Sequence, residues 1–316
     1  MTILKLKPIF KERIWGGRKL ATDFHYQIPD GPIGECWGIS AHHHGDSIIE
    51  EGELAGKLLS ELWRDYRHRL FGDYEMDEFP LLIKILDAKD DLSVQVHPND
   101  QQAVEINDES YGKTECWYVL EAEPNAEITL GHKAKTKEEM ERLTFEGKWD
   151  ELLQKLPVKR GDFILVESGT IHAIGKGIVI YETQQSSDTT YRVYDYDRID
   201  SKGKKRDLHL DKAIQVTTVP NSPAHINAEK ETVTSGEKTT FIEVPQFTVI
   251  HHKIIGSDYQ VELRETFQLL SIIEGSGKVI TGTEILEVKK GDHFIITREV
   301  KKLVASGEME WITSYI

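Results

Sequence analysis

The sequence has few cysteines and no long hydrophobic run. Only Cys36 and Cys116 occur, without a CxxC motif, so a disulfide framework is not expected and a reducing compartment fits best. No apolar stretch approaches the roughly 20 residues that a membrane-spanning helix needs. Residues 1–10 lack the apolar core and cleavage site of a signal peptide. We therefore expect a cytoplasmic protein with no membrane partner.

Basic residues are outnumbered by acidic ones. Lys and Arg total 39 against 54 Asp and Glu, and the formal net charge is -15. Such a chain repels nucleic acid and anionic lipid unless a local basic patch overrides the total. An anionic small molecule meets the same repulsion, so a phosphate site must carry its own cations. The sequence predicts no nucleic-acid partner and says nothing about oligomeric state.

Helical periodicity is confined to three segments. Residues 56–72 predict an amphipathic helix, and residues 99–110 predict a second, with Asn99 or Asp100 as N-cap. Residues 136–156 look like a helix, a glycine break and another helix. The rest reads as short strands between Gly, Asp and Pro, which favours a barrel or sandwich with helices outside it. The length of 316 residues suits two domains or one large one.

A weak internal repeat divides the chain. "LPVKRGDFILVESGTIHAI" (156–174) resembles "LEVKKGDHFIITREVKKLV" (286–304). In each copy Gly-Asp indicates a tight turn that leads into a buried strand. Two related β-barrels would explain the repeat. The second copy has no His at the position of His172. The polar stretch 221–240 is the expected boundary between the two barrels.

The stretch "SVQVHPND" (93–100) alternates polar and apolar side chains. In a strand, odd and even positions face opposite sides. Ser93, Gln95 and His97 therefore share one face, with Val94 and Val96 behind them. A hydroxyl, an amide and an imidazole in one row indicate a polar site rather than a packed core.

Two further segments add ligand types to that row. Lys113, Glu115 and Trp117 share a strand face, and His172 follows a tight turn. Two His, one carboxylate and one amide oxygen suit Zn²⁺ and other first-row divalent ions. Glu115 would offset one of the two positive charges of such an ion, and the remaining charge could polarise a hydroxyl or carbonyl of a substrate. On spacing alone, hydrogen-bonded core or rim histidines are the more common interpretation.

The run His42-His43-His44 is a weaker candidate for metal binding. Consecutive strand residues point alternately, and loop histidines are usually solvated. We therefore predict no metal site there.

The segment 178–198 carries an acid and a guanidinium. Glu182 shares a face with Ile178 and Ile180 in a regular strand, and Arg192 shares one with Tyr194. Arg192 is either an exposed ladder residue or a fixed cation aimed into a pocket. Glu182 is either a proton acceptor or the ion-pair partner of Arg192 or Lys113.

Several motifs together resemble a known family. "GDFILVESGTIH" fits the second cupin motif G-x5-P-x-G-x2-H, with Glu167 in place of Pro, and "QVH" with a downstream Glu resembles a modified first cupin motif. The wider set is "PIFKERIWGGRKL", "GECWGISAHHHGDSIIEEGELAGKLLSEL", "FPLLIKILDAKDDLSVQVHPND", "GKTECWYVL" and "SGTIHAIGKGIVIYETQQSSDTTYRVYDYDR". In this order they resemble type I phosphomannose isomerase, in a short bacterial form. The likeness covers roughly the first two thirds of the chain.

The resemblance implies a fold and an activity. The expected fold is mainly β, with two cupin-type jelly-roll barrels and a few peripheral helices. Residues 1–225 would form the catalytic, metal-binding domain, and residues 226–316 a metal-free second barrel. The implied activity is zinc-dependent interconversion of mannose 6-phosphate and fructose 6-phosphate through an enediol(ate). One Zn²⁺, or another first-row divalent ion, is expected per chain, with a sugar phosphate as partner.

The resemblance also assigns residues. It implies Gln95, His97, Glu115 and His172 as zinc ligands, Arg192 as a catalytic residue and Ser93 on the phosphate side. The chemistry adds Lys113 as a further cation or proton shuttle, Glu182 as a candidate base, and Arg13, Arg18 or Arg198 as phosphate cations. The alternatives are a non-catalytic, metal-binding cupin that senses or binds sugar, and an Fe-binding cupin dioxygenase.

Overall fold

The computed structural model describes residues 3–107, 109–199, 203–282 and 284–316, and within them the chain is mainly β, as predicted. The strands are β1 (Ile3–Lys7), β2 (Ile9–Gly17), β3 (Ile33–Ile39), β4 (Ala41–His42), β5 (Gly45–Asp46), β6 (Ile48–Ile49), β7 (Leu81–Ala88), β8 (Val94–Val96), β9 (Glu115–Ala122), β10 (Glu127–His132), β11 (Leu153–Pro157), β12 (Phe163–Val166), β13 (His172–Ile174), β14 (Ile178–Gln185), β15 (Tyr191–Tyr194), β16 (Glu229–Val233), β17 (Gly236–Val244), β18 (Phe247–Val261), β19 (Gln268–Thr281), β20 (Glu284–Lys289), β21 (His293–Ile296) and β22 (Leu303–Tyr315). The helices are α1 (Lys19–Thr22), α2 (Leu59–Leu70), α3 (Asp100–Asn107), α4 (Lys137–Phe145), α5 (Trp149–Leu152) and α6 (Leu210–Val216). No helix in these ranges has the length and apolar character needed to cross a membrane.

Three large sheets and one short hairpin contain the strands. The five-stranded sheet has the order β11-β10-β13-β8-β15, and the six-stranded sheet has the order β12-β9-β14-β7-β2-β3. The nine-stranded sheet has the order β16-β17-β18-β22-β19-β21-β1-β6, with β20 added to β19. Strands β4 and β5 pair with each other. None of these hydrogen-bonded paths closes into a ring over the residues described.

The six-stranded sheet lies in the middle of the molecule. One face packs against the five-stranded sheet, where Trp117 and Ile180 meet Ile128 and Ile174 in one buried cluster. Its other face packs on the nine-stranded sheet, so that each face of this sheet is buried. This explains why β7 and β14 are buried at every position rather than at alternate ones.

The two ends of the chain share one sheet. Strand β1 pairs with β21, with Leu4 opposite Ile295, and β6 extends the sheet from β1. Residues 221–228 have no regular structure. The β16–β17 hairpin begins at Glu229, within the stretch 221–240 that was expected to be the boundary between the two barrels. The domain division at residue 225 stays a prediction.

The internal repeat has the same turn in both copies. Gly161 and Gly291 adopt φ of 92° and 91°, a left-handed conformation that glycine takes without steric cost. The following aspartate accepts a 2.9 Å hydrogen bond from the backbone N–H three residues earlier in each copy, through Asp162 and Asp292. Strands β12 and β21 follow directly. The Gly-Asp signal therefore predicted these two turns correctly.

The helix predictions differ in outcome. Helix α2 lies within the expected 56–72, and Asn99 is the N-cap of α3, since its Oδ1 accepts a 2.9 Å bond from the Gln102 amide. The second helix expected within 136–156 is a single turn, and Leu153–Pro157 is strand β11 instead. Pairing with the edge of β10 supplies the backbone hydrogen bonds there and overrides the local helical pattern.

Candidate metal centre and active site

One row of polar side chains comes from the five-stranded sheet. Strand β8 lies between β13 and β15, and Gln95 is opposite His172 on one side and Arg192 on the other. Val94 and Val96 are fully buried on the reverse face. The alternation predicted from "SVQVH" is therefore correct, and strand pairing aligns three predicted site residues.

A second row comes from the six-stranded sheet. Glu182 on β14 is opposite Trp117 on β9 and Lys84 on β7. Glu115 occupies the first position of β9. All four side chains are buried, and they face the row on the other sheet across a shared cavity.

Three predicted ligands converge at one point between these sheets. Each of His97, Glu115 and His172 offers one ligand atom, and these atoms all lie within 4.8 Å of one another. The Nε2 atoms of His97 and His172 are 3.5 Å and 3.4 Å from the Glu115 carboxylate. The amide nitrogen of Gln95 is 3.3 Å from His172 Nε2. A half-turn of this amide presents its oxygen instead, because the two orientations occupy the same space.

The protonation state of both imidazoles suits metal binding. His97 Nδ1 donates to the Thr189 carbonyl at 2.8 Å, and His172 Nδ1 donates to the Thr170 carbonyl at 2.9 Å. The lone pair of each neutral ring is then on Nε2, which faces Glu115. Burial lowers the pKa of His172 to about 4, and burial followed by Lys113 lowers the pKa of His97 well below its usual value.

The charge balance at this point also suits a cation. Glu115 Oε2 is fully buried and has no well-formed hydrogen bond among the described residues. Lys113 Nζ lies 3.1 Å from that oxygen and 3.2 Å from His97 Nε2. Burial lowers the pKa of Lys113, but Glu115 and other carboxylates outweigh burial and raise it overall. The Lys113 ammonium thus lies next to Glu115 Oε2 and His97 Nε2 and provides a positive charge there. These two donor atoms are of the kind that binds Zn²⁺ or a similar ion.

A second buried carboxylate lies beside the first. Trp117 Nε1 donates to Glu115 Oε1 at 3.1 Å and to Glu182 Oε1 at 3.0 Å. Burial, followed by repulsion from Glu115, raises the pKa of Glu182 to about 6, against the opposing charges of Lys84 and Lys113. Raised carboxylate pKa values in a cavity are typical of groups that exchange protons near neutral pH.

Lys84 is a site residue that the sequence reasoning missed. Its Nζ lies 3.6 Å from Glu182 Oε2, and its side chain is 5% exposed. Glu182 therefore pairs with Lys84, whereas the partners expected from the sequence were Arg192 or Lys113, and Lys113 pairs with Glu115 instead. The available signal was a lysine within the apolar run Leu81–Leu86, since lysines are almost never fully buried unless they are paired.

The rows open onto a cavity of about 410 Å³. Arg192 Nε donates to Ser93 Oγ at 3.3 Å, and both residues line the cavity. Arg13 lines it as well, paired with Glu35 at 2.7 Å, whereas Arg18 and Arg198 do not. The sequence reasoning also missed Arg206, a third arginine at this cavity.

Family models match most of the described chain. The model for the phosphomannose isomerase type I catalytic domain matches residues 3–141, and that for the mannose-6-phosphate isomerase cupin domain matches residues 237–316. Mannose-6-phosphate isomerase ManA of Bacillus subtilis (strain 168) is 49% identical over 313 residues, which cover 99% of this chain and 98% of the relative. The chain belongs to the type I phosphomannose isomerase family. It is accordingly an isomerase.

Other relatives agree with this membership. Mannose-6-phosphate isomerase of Streptococcus mutans serotype c is 46% identical, over 99% of this chain and 98% of the relative. The crystal structure of the mannose 6-phosphate isomerase from Bacillus subtilis matches with a TM-score of 0.97 at 43% identity, covering 100% of both chains. A phosphomannose isomerase structure from Salmonella typhimurium has a TM-score of 0.83 at 16% identity, over 100% of this chain and 99% of that chain. This last likeness concerns the fold alone.

Proposed function

We propose that this member of the type I phosphomannose isomerase family interconverts mannose 6-phosphate and fructose 6-phosphate with the help of one bound Zn²⁺. The observation that carries the proposal is the cluster of His97, Glu115 and His172 beside a cavity that is also lined by two buried lysines and by half-buried arginines. A protein that only binds or stores metal does not need these additional lysines and arginines. An aldose–ketose isomerase needs them, because its transition state develops negative charge on the sugar oxygens.

Four residues would hold the metal ion: Gln95, His97, Glu115 and His172. Their nitrogen and oxygen donors suit Zn²⁺ over harder ions such as Mg²⁺. When bound, Zn²⁺ would supply charge that polarises the reacting sugar oxygens. The carbonyl groups of Thr170 and Thr189 keep the two imidazoles in the tautomer that this role requires.

Glu182 is the proposed base. In the opened sugar, isomerisation removes the proton on C2 and places one on C1, while a hydroxyl proton moves from O2 to O1. A carboxylate whose pKa burial raises to about 6 is ionised at neutral pH and still basic enough to take a carbon-bound proton. Its partner Lys84 keeps it ionised, and Lys113 is placed to hold or pass the oxygen-bound proton.

Arg192 and Ser93 are proposed to act on the substrate directly. Arg192 remains charged at any pH of interest, and the hydrogen bond between its Nε and Ser93 Oγ orients the two groups together. We assign Arg192 to the developing enediol(ate) charge and Ser93 to the phosphate. Arg206 lies at the same cavity and is an additional phosphate cation.

The test is a coupled assay that follows fructose 6-phosphate formation from mannose 6-phosphate. We expect dialysis against EDTA to abolish turnover and added Zn²⁺ to restore it. His172→Ala should lose both metal and turnover, whereas His68→Ala should keep both, because His68 is 82% exposed and does not line the cavity. Full turnover by metal-free protein would contradict the proposal, and metal binding without turnover would favour the sugar-sensing cupin.

A further inference from the structure

A second group of metal-ligand side chains lies outside the proposed centre. His42, His43 and His44 each offer a ligand atom, and these atoms lie within 4.8 Å of one another. Their ring centroids are 4.1 to 5.0 Å apart. The expectation of alternating or solvated side chains holds in part: His43 and His44 are exposed, but the three rings do not point apart. His42 ends β4 and pairs with Gly45 on β5, so the other two histidines form the turn, and the turn brings all three rings together.

His44 is held in the same way as a metal-ligating histidine. Its Nδ1 lies 3.1 Å from Asp188 Oδ2. Asp188 Oδ2 is a carboxylate oxygen, so it accepts this hydrogen bond and Nδ1 carries the proton. The lone pair of neutral His44 is therefore on Nε2. A carboxylate behind the imidazole makes it a stronger ligand and fixes its orientation.

His42 is also in a state that can bind a cation. Its Nδ1 accepts a 3.2 Å hydrogen bond from the backbone N–H of His44, which marks Nδ1 as the unprotonated nitrogen. A metal bond at this atom would replace one long hydrogen bond.

We propose that His42, His43 and His44 form a second binding site for a first-row divalent cation, with Asp188 orienting His44. Three imidazoles favour Zn²⁺, Ni²⁺ or Cu²⁺ over Mg²⁺ or Ca²⁺. The site carries no ligand charge of its own, and His43 and His44 are exposed. It is therefore weaker than the buried cluster that contains Glu115. Asp188 also lines the cavity beside the buried cluster.

The experiment titrates Zn²⁺ into metal-stripped protein by calorimetry, with metal content measured after dialysis. Wild-type protein should bind two Zn²⁺ per chain with clearly different affinities. His43→Ala should lose the weaker event and keep the tighter one, and the tighter event itself reports an intact fold. His172→Ala should lose the tighter event and keep the weaker. Asp188→Asn should weaken the second event by about tenfold, as loss of a carboxylate behind a ligand does, while His68→Ala should change neither.

Two outcomes would overturn this proposal. One is a wild-type protein that binds a single Zn²⁺, which His172→Ala abolishes. The other is a His43→Ala variant that still binds two. If wild-type protein shows only the weaker binding event, which His43→Ala abolishes, the proposed catalytic metal site is contradicted and the second site is not. The two outcomes are separate because the second site does not depend on the catalytic function.

Discussion

Replacing Lys84 by Met removes one positive charge beside the proposed base. Lys84 Nζ lies 3.6 Å from Glu182 Oε2, and both side chains are buried. Burial and then Glu115 raise the pKa of Glu182 to about 6, while Lys84 opposes this rise. A nearby cation favours the ionised carboxylate. We therefore expect Lys84→Met to raise the pKa of Glu182 further.

The size of this effect follows from the geometry. Two unit charges about 4 Å apart interact by about 4 kcal/mol at an effective dielectric constant of about 20, which corresponds to about 3 pKa units. Lys113 remains in place, and water that enters the altered site would screen part of the change, so a rise of ~1–2 units is the expectation. A pKa of ~7–8 leaves between about one half and one tenth of Glu182 ionised at pH 7, which lowers kcat/KM roughly two- to tenfold there.

The assay is the dependence of kcat/KM on pH for wild type, Lys84→Met and Lys155→Met. Lys155 is exposed and lies outside this cavity, so its variant controls for the loss of a lysine charge. In the pH profile of Lys84→Met, the acid limb of kcat/KM should shift to higher pH, and activity should recover at alkaline pH. A uniform fall in rate with an unmoved acid limb, at unchanged metal content, would refute the reasoning about Glu182 and Lys84.

Three further predictions concern other parts of the molecule. Arg192→Ala should lower kcat by about 10²–10³ with little change in KM, since it removes transition-state charge stabilisation; steady-state kinetics showing only a KM effect would make Arg192 a binding residue. Ser93→Ala should weaken mannose 6-phosphate more than unphosphorylated mannose in competition assays, and equal weakening would place the phosphate elsewhere. Burial lowers the pKa of His293 to about 3, so the unfolded chain binds a proton before the folded one, and stability falls as pH decreases. Between about pH 7.5 and 5.5 this costs ~1.4 kcal/mol. The free energy of urea unfolding should therefore fall by about that much less in His293→Gln than in wild type over this range; an equal fall in both would contradict it.

Local pattern was enough to place side chains on faces. Alternation alone puts Ser93, Gln95 and His97 on one side of β8, because successive strand residues point in opposite directions whatever the strand pairs with. The same holds for Lys113 and Glu115 at the start of β9. The Gly-Asp turns of the repeat were equally predictable, since a left-handed residue and a capping aspartate act within four residues.

Distances between segments depended on the tertiary structure. Lys84 contacts Glu182 only because β7 pairs with β14, almost 100 residues later in the chain. Residues 153–157 form a strand because the edge of β10 accepts their hydrogen bonds, which local helical periodicity does not register. The three histidines at 42–44 converge because a hairpin reverses the chain there. The sequence by itself therefore determined which chemical groups share a face, since that depends on backbone period. Only the packing of two sheets decided which of those groups meet, because burial, charge and pKa depend on neighbours that are remote in sequence.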